Sequence, residues 1–90
     1  MSAKIMRANL LALADAYRKV VRCSSAHLGM KFYGNAEFFN KFRRRDKKTG
    51  KWRSVSIDNY FEIVDKFRAE WPATADWPFL EAIIIEQYPR

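Results

Sequence analysis

A run of thirteen residues, 41–53, carries the densest cluster of chemically similar side chains in this chain. It holds eight cations and one acid, a net charge of +7, while the remaining residues carry nine cations and nine acids and sum to zero. The eight cations are Lys41, Arg43, Arg44, Arg45, Lys47, Lys48, Lys51 and Arg53. So concentrated a positive field is typical of a surface that binds a polyanion, and nucleic acid is the commonest such partner of a small basic domain. A solvated surface loop is the alternative, although the excess of cations is larger than solubility requires.

This basic segment, defined as residues 41–53, also predicts how binding would respond to salt. Each phosphate that a Lys or Arg side chain neutralises releases condensed counterions, so affinity falls as salt rises. If about six to eight of the cations contact phosphates, the slope of log affinity against log salt is roughly −5 to −7.

Trp52 stands within the basic segment, between Lys51 and Arg53. An indole ring in that position can stack on a base or wedge into a groove. More often such a ring pins its own loop to the protein core, and we favour this second role for Trp52.

Side chains for catalysis or metal binding are scarce. Cys23 and His27 are four residues apart, as a nucleophile and its base would be on a helix, but Cys23 falls beside a predicted core position where a small apolar side chain is expected. One cysteine and one histidine do not make a zinc site, and no glycine-rich phosphate loop is present. We therefore expect no enzyme, with no catalytic residue, metal or cofactor.

Length and composition indicate a single folded domain that carries the basic segment. The chain has 90 residues, of which 49% are apolar and 16% aromatic, with only three Gly and three Pro. Such a composition supports a core and is the opposite of a basic disordered tail. Apolar residues never run together for the length of about 18 that a membrane span needs, and polar residues interrupt the N-terminal apolar stretch, so we expect no membrane span and no export signal. The single cysteine fits a reducing cytoplasm.

Apolar spacing predicts two helices joined by a tight turn. Residues 3–21 carry apolar side chains at alternating steps of four and three, which is the stripe of one helix face. The stripe consists of Met6, Leu10, Leu13, Tyr17 and Val20. A break at 22–23 and a capping serine pair at 24–25 precede a second helix over 25–33, which ends at Gly34.

The rest of the chain predicts two or three more helices. A short helix over 36–43 carries three phenylalanines, and residues 43–55 form a hairpin or an ordered loop around a turn signature. Ser56 caps a long helix that ends at Pro72. A final helix is expected over 77–87, where three consecutive isoleucines either serve a dimer interface or pack within the chain.

The helix, break and helix over 10–33 have the layout of a helix-turn-helix, whose second helix enters the DNA major groove. Cations surround this unit, as docking on phosphates requires. They are Arg18, Lys19, Arg22 and Lys31.

Two strings, LLALADAYRKVVRCSSAHLGMKFYGNAEFF and SVSIDNYFEIVDKFRAEWPATADWP, carry a family resemblance. Their motifs are an Ala-Tyr pair on a Leu-rich helix, a serine that starts the next helix, a Gly-Asn step, a Phe pair and two Trp-Pro dipeptides. They stand at Ala16-Tyr17, Ser24, Gly34-Asn35, Phe38-Phe39, Trp71-Pro72 and Trp77-Pro78. Over about 10–78 the chain resembles small helix-turn-helix proteins of bacterial prophages and mobile elements, which are mostly uncharacterised and regarded as transcriptional regulators.

The resemblance implies roles for the second helix. Residues 24–25 would start this reading helix, and four of the residues after them would face the groove. The nucleic-acid-binding side chains that it implies here are Ser24, Ser25, Ala26, His27, Met30 and Lys31, and the positive charge around the turn adds Arg22. His27 and Lys31 lie four residues apart on one side and can bond to base edges or phosphates. For His27, an exposed or half-buried neutral side chain without such a role is an equal alternative.

The chain departs from this family pattern in two places. Arg22 stands where such proteins usually have Gly in the turn, so a residue other than Gly makes the left-handed turn or the turn is reshaped. The basic segment is also longer and more basic than the family pattern, which predicts that part of the DNA contact has moved onto it.

These observations together predict a mainly α-helical domain of four or five helices that contains a helix-turn-helix and a short hairpin or basic loop. We expect it to bind double-stranded DNA as a small transcriptional regulator. A homodimer through its C-terminal helix would double the contacts and fit a palindromic site, while packing of that helix within the chain is the alternative. A protein-binding adaptor or antiactivator with the same shape is one alternative. RNA binding or non-specific architectural binding is the other.

Overall fold

Four helices follow one another within residues 2–81, the part of the chain that the computed structural model describes. They are α1 (Ser2–Val21), α2 (Ser25–Tyr33), α3 (Phe38–Phe42) and α4 (Ile57–Ala69). The prediction of a mainly α-helical domain is therefore confirmed. No helix in this range is long and apolar enough to cross a membrane.

The predicted apolar stripe of α1 packs into the core over most of its length. Met6, Leu10, Leu13 and Tyr17 are all buried. Val20, the last predicted member, is 40% exposed, so the buried stripe ends about one turn before the helix does.

The turn between α1 and α2 is made by a residue other than glycine, which was one of the two outcomes that the sequence allowed. Arg22 has a φ of 58°, in the left-handed region that glycine favours. The guanidinium of Arg18 braces this turn: its Nε donates to the carbonyl of Cys23 at 2.8 Å, and its Nη1 donates to the hydroxyl of Ser25 at 3.0 Å. These two bonds hold the start of α2 against α1.

Local signals fix both ends of α2, as predicted. The Ser24 hydroxyl accepts a hydrogen bond from the His27 amide at 3.0 Å, and Gly34 ends the helix with a φ of 75°. Gly29 is required for a different reason, because a Cβ there would overlap the carbonyl oxygen of Asn35. The chain that leaves α2 therefore folds back closely over the helix.

α3 is shorter than the predicted span of 36–43. Residues 36–37 form a turn instead, in which the Asn35 side chain accepts from the Glu37 amide at 2.9 Å. The three phenylalanines of α3 are buried, as expected of core anchors. With Tyr17 and the stacked pair Phe32 and Phe67, whose ring centroids are 4.0 Å apart, they make the core mainly aromatic where the helices meet.

α4 begins where predicted and ends earlier than predicted. The Ser56 hydroxyl accepts from the Asn59 amide at 3.1 Å and caps the helix. The helix stops at Ala69 rather than at Pro72, because a proline disfavours helical backbone in the residue before it. The Trp71 indole then donates to the carbonyl of Ala75 at 2.9 Å, which closes the turn that follows.

The predicted final helix is wrong over residues 77–81, which are not helical. Asn9, a buried side chain of α1, binds the end of this segment: its Nδ2 donates to the Glu81 carbonyl at 2.9 Å, and its Oδ1 accepts from the Glu81 amide at 3.0 Å. Both backbone groups of Glu81 thus bond to a side chain instead of to a helix. The remainder of that prediction, 82–87 with its isoleucines and the dimer interface, lies outside the described residues.

Candidate nucleic-acid interface

The basic segment closes on itself as a short hairpin-like loop. Arg45 and Trp52 form an isolated antiparallel bridge, and the Asp46 amide donates to the Lys51 carbonyl at 2.8 Å. The single acid of the segment organises the tip, because Asp46 Oδ1 accepts from the amides of Lys48 at 2.8 Å and Thr49 at 3.0 Å. The amide of Thr49, then that of Lys48, lowers the pKa of the Asp46 carboxyl below its usual 3.8.

An open depression of about 600 Å³ lies against this loop, and cations dominate its walls. Seven of the eight predicted cations line it: Lys41, Arg44, Arg45, Lys47, Lys48, Lys51 and Arg53. Among the described residues that line it, Asp46 is the only acid. Within residues 2–81 none of these seven cations forms an ion pair. The positively charged surface predicted from the sequence is therefore concave.

Arg43, the eighth cation, is turned away from this depression. Its guanidinium forms an ion pair with Asp15 of α1 through Nη2 and Oδ1. Arg43 therefore fastens the start of the loop to α1, a long-range contact that no local pattern in the sequence indicates.

Trp52 lies outside the buried core, with 42% of its surface exposed. The guanidinium carbon of Arg7 lies 4.5 Å from the centroid of its ring, and that of Arg45 lies 5.6 Å away. The indole thus attaches the loop to α1 through Arg7 rather than by insertion into the core. No local sequence pattern indicates the contact of Arg7, because 45 residues separate it from Trp52.

The outward face of α2 carries few groups that could bind an anion. Ala26, His27 and Met30 are exposed, and Met30 is 57% exposed. The two serines before them are engaged in the turn, Ser24 as the cap and Ser25 with Arg18. His27 is thus the only one of these three exposed side chains with a strong hydrogen-bonding group.

Lys31 lies on the same side of α2 as His27, but its ammonium is already engaged within the chain. Its ammonium forms an ion pair with Glu70, after α4, at 2.8 Å and donates to the Tyr17 hydroxyl at 3.4 Å. The bond to Glu70, then the bond to Tyr17, raises the pKa of Lys31 above its usual 10.5. Lys31 therefore links α2 to the end of α4, while Arg22 stays exposed in the turn.

The basic segment and the start of α2 attach to the same side of α1. Arg7 contacts Trp52 and Arg18 contacts Ser25, and these two arginines are eleven residues apart on one helix. At about 100° per residue, eleven residues make three turns and roughly 20°, so both side chains leave the helix in nearly the same direction. At 1.5 Å per residue, they are roughly 16 Å apart along the helix axis. Asp15, which holds Arg43, lies roughly 80° around the helix from Arg7 by the same geometry.

Comparisons with protein-family models, with curated proteins and with solved structures gave no match for this chain. The resemblance to helix-turn-helix proteins therefore stays a prediction from sequence motifs.

Within residues 2–81, no cluster of His, Cys, Asp and Glu side chains is large enough to hold a metal ion. Cys23 is half-buried and packs against the core.

Proposed function

We propose that this chain binds double-stranded DNA as a small transcriptional regulator, with the basic segment on the sugar–phosphate backbone and α2 at the major groove. The observation that carries the proposal is the depression lined by seven cations without ion pairs among residues 2–81. The other features of the two regions support it through charge balance and spacing.

The charge balance of the loop favours a polyanionic partner. Seven cations and Asp46 give the lining a formal charge of +6, and the carboxylate of Asp46 already accepts two backbone amides. Like charges around one depression repel one another, most strongly where they lie within a Debye length of about 8–10 Å. A row of phosphates relieves that repulsion and releases its own counterions, which makes binding favourable and strongly dependent on salt.

The spacing of the two regions fits duplex DNA. Their attachment points lie on one side of α1, roughly 16 Å apart along its axis. That separation is close to half of the 34 Å helical turn of B-DNA. With α2 at the major groove, the basic segment would meet the backbone beside the neighbouring minor groove.

The side chains of α2 suit modest base selectivity. His27 can bond to a base edge, while Ala26 and Met30 can contact a thymine methyl group. Because no Arg, Asn or Gln occurs in α2, the bidentate base contacts that give strong discrimination are absent from this helix. Most of the affinity in this proposal therefore comes from the basic segment.

Selection from a random DNA pool, followed by binding assays at physiological salt, tests the proposal. We expect a selected duplex to bind at least about tenfold tighter than its scrambled version, since single mismatches typically cost about 1–3 kcal/mol. We also expect single-stranded RNA to compete poorly with the selected duplex. Equal retention of RNA and duplex would overturn the proposal in favour of RNA or architectural binding, and no retention of any duplex would overturn it altogether.

A protein-binding adaptor is the second candidate, and one observation favours it. Met30 is 57% exposed at the centre of the outward face of α2, beside Ala26, and an exposed Met is common at adaptable protein-binding surfaces. In that case the basic segment would attract an acidic partner protein. The same assays distinguish the two functions, because an adaptor shows neither duplex preference nor retention of DNA.

A further inference from the structure

One cation outside the basic segment is joined to it by a direct side-chain contact. Arg7 belongs to α1, and its guanidinium carbon lies 4.5 Å from the centroid of the Trp52 ring. Arg45, which lines the depression, approaches the same ring at 5.6 Å. Trp52 therefore gathers two guanidinium groups, one from a helix and one from the loop.

We propose that Arg7 is a further DNA-binding residue, which contacts a backbone phosphate, and that Trp52 is the positioning residue that holds it at the edge of the basic segment. This inference rests on the proposed function, since it names an additional contact of the same surface. It extends the surface from the loop onto α1.

The geometry of a stacked guanidinium makes both roles compatible. Arginine contacts an aromatic ring with its flat face, whereas its five N–H donors lie in the plane of the group and point outward. Contact with Trp52 thus leaves the donors of Arg7 available, and within residues 2–81 Arg7 forms no ion pair with an acid. A phosphate can accept two of these donors at once.

Positioning by Trp52 also lowers the entropic cost of the contact. A free arginine side chain loses much rotamer freedom when it binds a phosphate, whereas one already held against a ring loses less. The exposed fraction of Trp52, 42%, is large for a ring whose task is only to fill the core. A ring that presents cations at the surface accounts for that exposure.

The test measures the salt dependence of duplex binding for single and double variants. Arg7→Ala should weaken binding about fivefold near physiological salt and flatten the log–log slope by about 0.9, the value for one phosphate contact. Trp52→Leu leaves every charge in place, yet it should flatten the slope by a similar amount, because Arg7 is no longer held. In the Arg7→Ala background, Trp52→Leu should then change the slope little.

Lys4→Ala is the matched control, because it removes one cation from the same helix, at an exposed position that has no aromatic partner within residues 2–81. It should change affinity less than about twofold and leave the slope unaltered. Melting temperatures of all variants are measured alongside, and binding is recorded well below the lowest of them. A Trp52 that only stabilises the loop would lower the melting temperature without flattening the slope.

Each outcome supports or overturns the inference. If wild type binds duplex DNA and Arg7→Ala behaves like Lys4→Ala, Arg7 makes no phosphate contact and this inference alone fails. If Trp52→Leu flattens the slope as strongly without Arg7 as with it, the positioning role of Trp52 is wrong. If wild type does not bind duplex DNA, the proposed function fails and the inference fails with it.

Discussion

The basic segment and the outward face of α2 differ in how their charged groups are used. In the basic segment, seven cations line one depression without ion pairs among residues 2–81. On α2, the one lysine is bound to Glu70, and the exposed face presents Ala26, His27 and Met30. The basic segment is thus a strongly charged surface, whereas the outward face of α2 is mostly uncharged.

This difference indicates how affinity and selectivity would be divided. Contacts to phosphates give affinity that depends on salt and is the same for every sequence, whereas contacts to base edges give selectivity. In our account the basic segment provides the first and α2 a small measure of the second. Substitutions in the basic segment should therefore alter the affinity and its salt dependence, whereas substitutions on α2 should alter the preference for a selected over a scrambled duplex.

The largest expected effect follows from removing arginines of the basic segment. Replacing Arg43, Arg44 and Arg45 with Ala should weaken all duplexes by a similar factor, roughly 30-fold at about 0.15 M salt, and flatten the log–log slope by about 2, as expected for two lost contacts. Two contacts are expected rather than three because Arg43 is bound to Asp15. Fluorescence anisotropy with a selected and a scrambled duplex, over a range of salt, measures both quantities.

A control variant with Lys4, Lys66 and Arg68 replaced by Ala loses the same charge from α1 and α4, at cations that belong to neither proposed contact surface. Its slope should match that of wild type. Equal losses in the two triple variants would mean that net charge, and not the depression, determines binding.

Breaking the ion pair between Arg43 and Asp15 should raise the affinity for duplex DNA instead of lowering it. Asp15→Asn releases Arg43, so duplex affinity should rise about fivefold and the slope should become steeper by about 0.9. Asp65→Asn on α4 makes the same change in net charge at an exposed acid, without releasing a cation of the segment. If Asp65→Asn strengthens binding equally, Arg43 is not a latent phosphate contact.

Substitutions on α2 should produce a smaller effect of another kind. His27→Ala should reduce the preference for a selected over a scrambled duplex by roughly threefold, because one hydrogen bond to a base edge is lost, and should leave the slope unchanged. Lys31→Ala should leave the preference unchanged and lower the melting temperature slightly, because its ammonium is bound to Glu70. Loss of preference in Lys31→Ala but not in His27→Ala would reverse these assignments.

The smallest expected effect is that of pH on the structure of the loop. The folded-state pKa of Asp46 is lowered by the amides of Thr49 and Lys48, so its ionised form stabilises the loop at every pH above the usual 3.8. That stabilisation is lost only as the pH falls below 3.8 and through the lowered pKa. NMR shifts of the Lys48 and Thr49 amides should therefore stay constant from about pH 8 to pH 5, whereas Asp46→Ala should change them throughout. A transition near neutral pH in wild type would contradict this role of Asp46.

Local sequence signals predicted most of the helical scaffold. The bounds of α2 follow from the Ser24 cap and the left-handed Gly34, and the start of α4 follows from the Ser56 cap. Each of these signals acts over a few residues, so it can be recognised without knowledge of the fold. The left-handed turn at Arg22 was likewise one of two outcomes that the sequence allowed.

Contacts between distant parts of the chain could not be predicted in this way. Residues 77–81 are not helical and Asn9 binds the backbone of Glu81, although the proline and apolar residues there favour a helix locally. The ion pair of Lys31 with Glu70 depends on where α4 ends relative to α2. In both cases tertiary packing decides which of several suitable partners a polar side chain meets, and that information is absent from local patterns.

The candidate site shows the same division between local and distant signals. The charge of the basic segment was evident from composition. Its concave shape and the ion pair that binds Arg43 to Asp15 were not. Arg7 became a candidate only because Trp52 brings it to the loop. Charge density thus predicts the class of partner, while the fold determines which cations are available to it.

The salt dependence of wild-type binding to duplex DNA tests the central claim most directly. With about six or seven cations available to phosphates, the slope of log affinity against log salt should be roughly −5 to −6, and nearly the same for selected and scrambled duplexes. A slope between zero and about −2 would mean that the basic segment does not contact the backbone, and it would contradict the account.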